Sequence, residues 1–113
     1  MARAPLIEGA WLRPGAHLDL VGGFTPEMRE ADDEAVRRAR VYADSRHGAA
    51  RCGDILGPIA AGALGGGEII GDLYDLCQGR AEGRRSAEDI TLYKNAGGGH
   101  LDLYSVQHLL TRV

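Results

Sequence analysis

The sequence predicts an α/β fold built on a mostly parallel sheet. Three observations carry this. Short apolar segments, HLDLV at 17–21, RVYAD at 40–44 and ITLY at 90–93, have strand length and are separated by stretches with helical spacing. Their order is strand, helix, strand, helix, helix, strand, helix, with no internal repeat, the alternation that parallel sheets require. Glycines and polar amides stand where the strands end, as in LVGGFTPEMRE at 20–30 and KNAGGG at 94–99.

Each element has a local reason. Leu18 and Leu20 share one face of the first strand, and Gly22 and Gly23 end it. Thr25 followed by Pro26 is a helix-start signal, since proline needs no amide donor at the first helical position. Asp32 and Asp33 can cap a further turn, Val36 and Ala39 supply an apolar stripe, and Arg37, Arg38 and Arg40 a basic last turn, so residues 25–40 are expected to be helical in one or two pieces. Residues 40–45 read as the second strand and 46–54 as a short helix stopping at Gly53. Pro58 and the glycines from 62 to 67 read as a flexible connection. Ile69, Ile70, Leu73, Leu76 and Cys77 recur at helical spacing, with Gly79 as the C-terminal cap. RAEGRRS at 80–86 reads as a solvated loop. Ser86 and Asp89 have capping-box spacing, but Ile90 and Leu92 alternating with Thr91 and Tyr93 make the next segment a strand. A terminal helix then carries Leu103, Val106, Leu110 and Val113 on one side.

Composition bounds the function. At 113 residues the chain forms at most one domain, expected as a single unit over 1–113. Its net charge of -3 gives no general attraction to nucleic acid or anionic lipid. No apolar run reaches membrane-spanning length, and MARAPLIEG lacks the apolar core and cleavage site of a signal peptide, so the cytoplasm is the expected location. Cys52 and Cys77 have neither CxxC nor Cys/His ligand spacing and read as reduced thiols. The four histidines are dispersed, with His100 and His108 too far apart to share a helix face, and no metal site is expected.

Parallel sheets place ligands beyond the carboxyl ends of their strands. Here those ends are Gly22-Gly23-Phe24-Thr25, Ser45-Arg46-His47 and Asn95-Ala96-Gly97. The first and third join small residues to a following helix start, where free amides favour an anion or a polar cofactor group. Glycines after strands also simply make tight turns, and spacing leaves both readings open. The fingerprint G-x-G-x-x-G fails from Gly65, where the third glycine is replaced by Ile70, and from Gly97, where it is replaced by Asp102. No G-x-S-x-G elbow surrounds Ser45. Lys94 reads as a strand-end cation or as a crevice-lining residue with Asn95, and Asp102 as a first-turn acid of the last helix.

The ordered segments WLRPGAHLDLVGGFTPEMREADDEAVRRARVYADS, GDI, GRRSAEDITLYKNAG and DL resemble the ornithine cyclodeaminase and mu-crystallin family. The resemblance covers the chain from Trp11 onward. It implies the last third of a two-lobed enzyme: the C-terminal part of an NAD(P)-binding Rossmann domain plus a terminal helix, without the substrate and dimerisation lobe or the glycine fingerprint. A truncated gene product or a fragment retained from a longer enzyme is therefore expected, inactive alone. By resemblance Val21, Gly22 and Gly23 lie against the nicotinamide side of an NAD or NADP cofactor. Phe24 falls where cyclodeaminases have a participating aspartate, Met28 falls at a cofactor-contacting lysine, and Asn95 and Ala96 fall at a serine beside the nicotinamide and a valine beside the substrate. A phenyl ring cannot accept a proton, so the resemblance favours reduction of a cyclic imine such as Δ1-pyrroline-2-carboxylate or another ketimine over conversion of ornithine to proline. Phe24 then serves as an apolar wall or as a corner-packing residue. A homo-oligomer is the expected assembly, and a non-catalytic self-associating remnant is the alternative outside the enzymes.

Overall fold

A computed structural model describes residues 2–64 and 69–112. The elements in chain order are β1 (His17–Leu20), α1 (Asp33–Arg38), β2 (Ala39–Ala43), α2 (Arg46–Ala49), α3 (Gly53–Ala60), β3 (Gly71–Asp72), α4 (Leu73–Cys77), β4 (Ile90–Lys94) and α5 (Gly99–Leu110). The strands form one four-stranded sheet in the order β1-β4-β2-β3, and every pairing is parallel. The last strand in sequence thus lies between the first two. Its register sets Lys94 beside Leu20 on one side and Ala43 on the other.

Period-two alternation divides the sheet into two chemically different faces. Leu18, Leu20, Val41, Ala43 and Leu92 point to one face and pack with Ala31, Ala35, Val36 and Ile55. Burying a leucine such as Leu20 or Leu92 contributes about 1.5–3 kcal/mol. The other face carries His17, Tyr42, Thr91 and Tyr93, where His17 Nδ1 lies 2.8 Å from Thr91 Oγ1 and the Tyr42 hydroxyl donates to Glu82 O at 2.8 Å.

Several expectations are corrected. Residues 25–32 are not helical: Leu6 and Ile7 amides both donate to Glu30 O at 2.9 Å, and Ile7 bridges Ala31 in parallel. These tertiary hydrogen bonds override the helix signal at Thr25-Pro26. The helix starts only at Asp33, where Asp32 accepts from Ala35 N. Gly53 begins a helix instead of stopping one. A Cβ there would meet Met28 O at 2.3 Å and Pro26 O at 2.5 Å, so glycine serves close approach, not termination. Pro58 lies within α3, not in a connection. Ile69 and Ile70 are extended, with Ile70 N donating to Val41 O, and helix α4 begins after β3 with a capping box between Asp72 and Asp75. Gly79 follows that helix at φ +68°, as a C-terminal glycine does. Ser86 and Asp89 hydrogen-bond to each other in a turn, not at a helix start. Arg84 is no idle loop cation: it donates to Gly15 O at 2.9 Å and Asp89 O at 2.7 Å, tying the start of β1 to that of β4. The last helix exposes its apolar residues, Leu103 and Val106 both at 53 %. Residues 65–67 and 113 lie outside the described residues.

Replacing Gly53 by alanine is expected to destabilise the fold by about 1–3 kcal/mol, because backbone oxygens must yield to the new Cβ. Gly83, with open space around it, is the control and should change by less than about 0.5 kcal/mol on the same substitution. Urea unfolding of both variants checks the contrast.

Candidate functional site

The carboxyl ends of β1, β4 and β2 come together at one edge. Asn95 N donates to Leu20 O at 2.9 Å and Asp44 N to Lys94 O at 3.0 Å, so the three strand ends continue their pairing into the loops. Val21, Gly22, Gly23 and Phe24 leave β1 on this edge, and Asn95 and Ala96 leave the neighbouring β4. The Asn95 side chain accepts from Gly97 N at 2.9 Å and holds that loop in a turn. Ala96 lies over α2, its Cβ 3.2 Å from where a side chain on Gly48 would begin. Val21 is 60 % exposed. Met28 is half-buried where the following turn closes, its amide donating to Thr25 O.

Phe24 does not pack a corner. It is 53 % exposed and lines an open cavity of about 410 Å³ with Thr25, Pro26, Gly48, Ala50, Arg51 and Leu56. Among these residues Arg51 carries the only charge. The cavity is walled by apolar side chains, with one guanidinium at its rim.

Beneath the glycine pair lies a buried charge cluster that sequence reading underweighted. Lys94 is fully buried. Its Nζ lies 3.2 Å from Glu30 Oε2 and 3.2 Å from Asp54 Oδ2. It is therefore neither a solvated strand-end cation nor a residue lining the open crevice. Glu30 Oε2 in turn accepts from Gly22 N at 2.8 Å and Gly23 N at 2.9 Å, while Asp54 Oδ1 accepts from Glu30 N at 2.7 Å. The arrangement leaves little room for side chains here, least at Gly23, which lies against the buried Asp54. A Cβ on Gly23 would stand 2.5 Å from Asp54 Oδ2, and one on Gly22 would stand 2.8 Å from Glu30 Oε1. A signal existed in the sequence: alternation sets Lys94 on the same face as Leu92, which is the core face.

The electrostatics make this cluster an anchor. Burial alone would raise the Glu30 carboxyl, but the amides of Gly23 and Gly22 and the Lys94 ammonium outweigh it and hold it below the ordinary value. A depressed carboxylate is a poor proton acceptor. Burial likewise pushes the Cys52 thiol up, with Lys94 nearby opposing the rise and Asp54 adding to it, so the thiolate is disfavoured. On the opposite face Tyr93 is pushed up to about 12 by burial and then by Asp44, and stays protonated. Among the described residues no three or more His, Cys, Asp or Glu side chains are placed to hold a metal.

A parallel sheet with glycine corners at its carboxyl edge is the architecture of a Rossmann-type unit. The chain belongs to the ornithine cyclodeaminase/mu-crystallin family, whose model matches residues 1–107. It is 47 % identical over 110 residues to a Δ1-pyrroline-2-carboxylate reductase of Paracoccus denitrificans, covering 96 % of this chain and 35 % of that protein. It is 35 % identical over 108 residues to the mouse ketimine reductase mu-crystallin, covering 95 % of this chain and 32 % of the relative. The structure of Thermococcus litoralis Δ1-pyrroline-2-carboxylate reductase in complex with NADH and L-proline superposes with a TM-score of 0.80 at 36 % identity, covering 85 % of this chain and 30 % of that one. The chain thus spans about a third of the length of the relatives it matches.

Two outcomes follow for the cluster. Replacing Lys94 by methionine leaves the buried Asp54 carboxylate and the partly exposed Glu30 without their cation and is expected to cost about 3–5 kcal/mol, measured by chemical unfolding at neutral pH. Glu30, with its lowered folded value, contributes stability that is complete above its unfolded value near 4.5 and is lost as pH falls through the depressed one. Glu30→Gln should therefore lower stability at neutral pH and flatten its decline below about pH 4.5, read from thermal unfolding across the acid range.

Proposed function

We propose that this chain forms the nicotinamide-side portion of an NAD(P)H-dependent reductase acting on a cyclic imine or ketimine amino acid, with Δ1-pyrroline-2-carboxylate as the model substrate. The observation that carries the reading is the shared carboxyl edge, where Asn95 N donates to Leu20 O and sets the start of the Asn95-Ala96 loop against the end of β1 that leads into Val21-Gly22-Gly23-Phe24. The residues present fit one end of a dinucleotide. Backbone with small side chains at Gly22, Gly23 and Ala96 offers a flat wall for a planar ring. When bound, the reduced nicotinamide supplies the hydride that the imine carbon accepts.

This chain's own part is to position and to exclude water. Val21, Gly22 and Gly23 form the wall, and Met28 supports the turn behind it. Asn95 holds the β4 loop alongside, with Ala96 toward the substrate. Phe24, with Pro26 and Leu56, gives the adjoining cavity its apolar lining. Water kept from this wall cannot hydrolyse the imine before reduction. We read residues 1–113 as one unit, in keeping with the single core cluster of the described residues, and assign the activity to a full-length form that also supplies phosphate and substrate-carboxylate sites. We assign the full-length form to a homo-oligomer in the cytoplasm, in keeping with the exposed apolar residues of α5 and the two free cysteines. No helix among the described residues is long and apolar enough to cross a membrane.

Ornithine cyclodeamination is the less favoured reading, because Phe24 offers no carboxylate at the β1 end and the neighbouring Glu30 is committed to amides and Lys94. Titrating the isotope-labelled chain with NADH or NADPH tests the proposal. Amide resonances of residues 21–24 and 95–97 should move together. Shifts confined to other regions, or none at millimolar ligand, would sink it. Phe24→Ala is expected to weaken the interaction by about 1 kcal/mol, roughly fivefold, through lost apolar contact.

A further inference from the structure

We propose that Lys94 is a positioning residue: its buried ammonium fixes the Glu30 carboxylate beneath the Gly22 and Gly23 amides and thereby sets the backbone of the ligand-facing wall. The inference rests on the reading above for what the wall does, but not for how it is held.

Geometry supports it from three directions. Glu30 Oε2 receives three donors at once, Gly22 N at 2.8 Å, Gly23 N at 2.9 Å and Lys94 Nζ at 3.2 Å. The two amides belong to residues just past the end of β1, where no neighbouring strand satisfies them. Without Glu30 the Gly23 amide, on a buried residue, would lose the acceptor that a desolvated amide needs, while the exposed Gly22 amide would turn to solvent. Lys94 itself cannot wander, since it sits between Leu20 and Ala43 in the ladder and has no exposed surface. Asp54, from α3, closes the far side by pairing with Lys94 and accepting from Glu30 N. The charged groups facing Glu30 are thus Lys94 from β4 and Asp54 from α3. Arg29, next in sequence, turns away to Asp33 at 2.7 Å, and the Cys52 thiol near Lys94 is uncharged. A neutral residue in place of Lys94 leaves the two carboxylates facing each other, and repulsion drives Glu30 from the glycine amides. None of these side chains needs to touch a ligand.

The test is amide exchange and proton chemical shift in the whole chain without ligand, followed by an NADH titration. In Lys94→Gln, Gly22 and Gly23 amides are expected to exchange about tenfold faster or more, and to lose the downfield shift of carboxylate-bonded protons. The Asn95 amide, bonded to Leu20 O in the β1–β4 ladder, should keep its protection. A folded variant with unchanged Gly22 and Gly23 amides overturns the proposal, as does a uniform rise in exchange that includes Asn95. If that variant fails to fold, acid titration of the native chain decides: Gly22, Gly23 and the Lys94 Nζ resonance should shift with one common midpoint before global unfolding, and independent midpoints overturn it. The NADH arm separates the two claims. Native chain that shows the amide signature but binds no NADH defeats the reading under Proposed function and leaves the positioning role standing. Native chain that binds NADH, with affinity unchanged in Lys94→Gln despite displaced glycine amides, defeats the link between Lys94 and the wall.

Discussion

A lysine ammonium with no access to water, neutralised by carboxylates from two different segments, is the constraint on which the described structure turns. An ammonium in an apolar core is tolerated only with its charge met and its donors used. Glu30 and Asp54 meet it at 3.2 Å each. To bring them there the chain must lay residues 28–31 along the end of β1 and start α3 directly against that segment. Gly53 permits this by admitting Met28 O and Pro26 O where other residues carry a Cβ. The open loop at 22–32, the early start of α3 and the glycine pair are three consequences of one buried charge.

The same constraint explains which parts of the fold were legible in the sequence. The first, second and last strands, the parallel sheet and the α/β class could be read from apolar alternation and element order, because those properties depend on neighbours a few residues away. Residues 25–32 could not. Thr25-Pro26 has the chemistry of a helix start, and only contacts with residues 6, 7 and 54, remote in sequence, pull the segment straight. The helix at 53–60 was hidden for a related reason. Its glycine and proline look like breakers, yet the first is a spacer for a crossing backbone and the second removes only its own amide bond.

The candidate site was legible in part. Its position at the strand ends follows from fold class alone. The proximity of residues 21–24 to 95–96 follows once β4 is placed beside β1, a pairing that sequence order does not disclose because β2 and β3 intervene. Lys94 was visible as a residue but not as a buried one, since a lysine at the end of a strand ordinarily reaches solvent. Its two partners lie in segments without any motif. Family resemblance pointed to the wall and not to what stands behind it.

The hydrogen bonds from Gly22 and Gly23 to Glu30 also make the wall a proton-linked element. A ligand that pressed the glycine amides toward Glu30 would lower the carboxyl further and release protons on binding in acid solution below about pH 4.5, whereas one that drew them away would take protons up there. The proton count of any binding event at this edge therefore carries a sign that reports the direction in which the backbone moved, a structural displacement readable by calorimetry in two buffers of different ionisation heat.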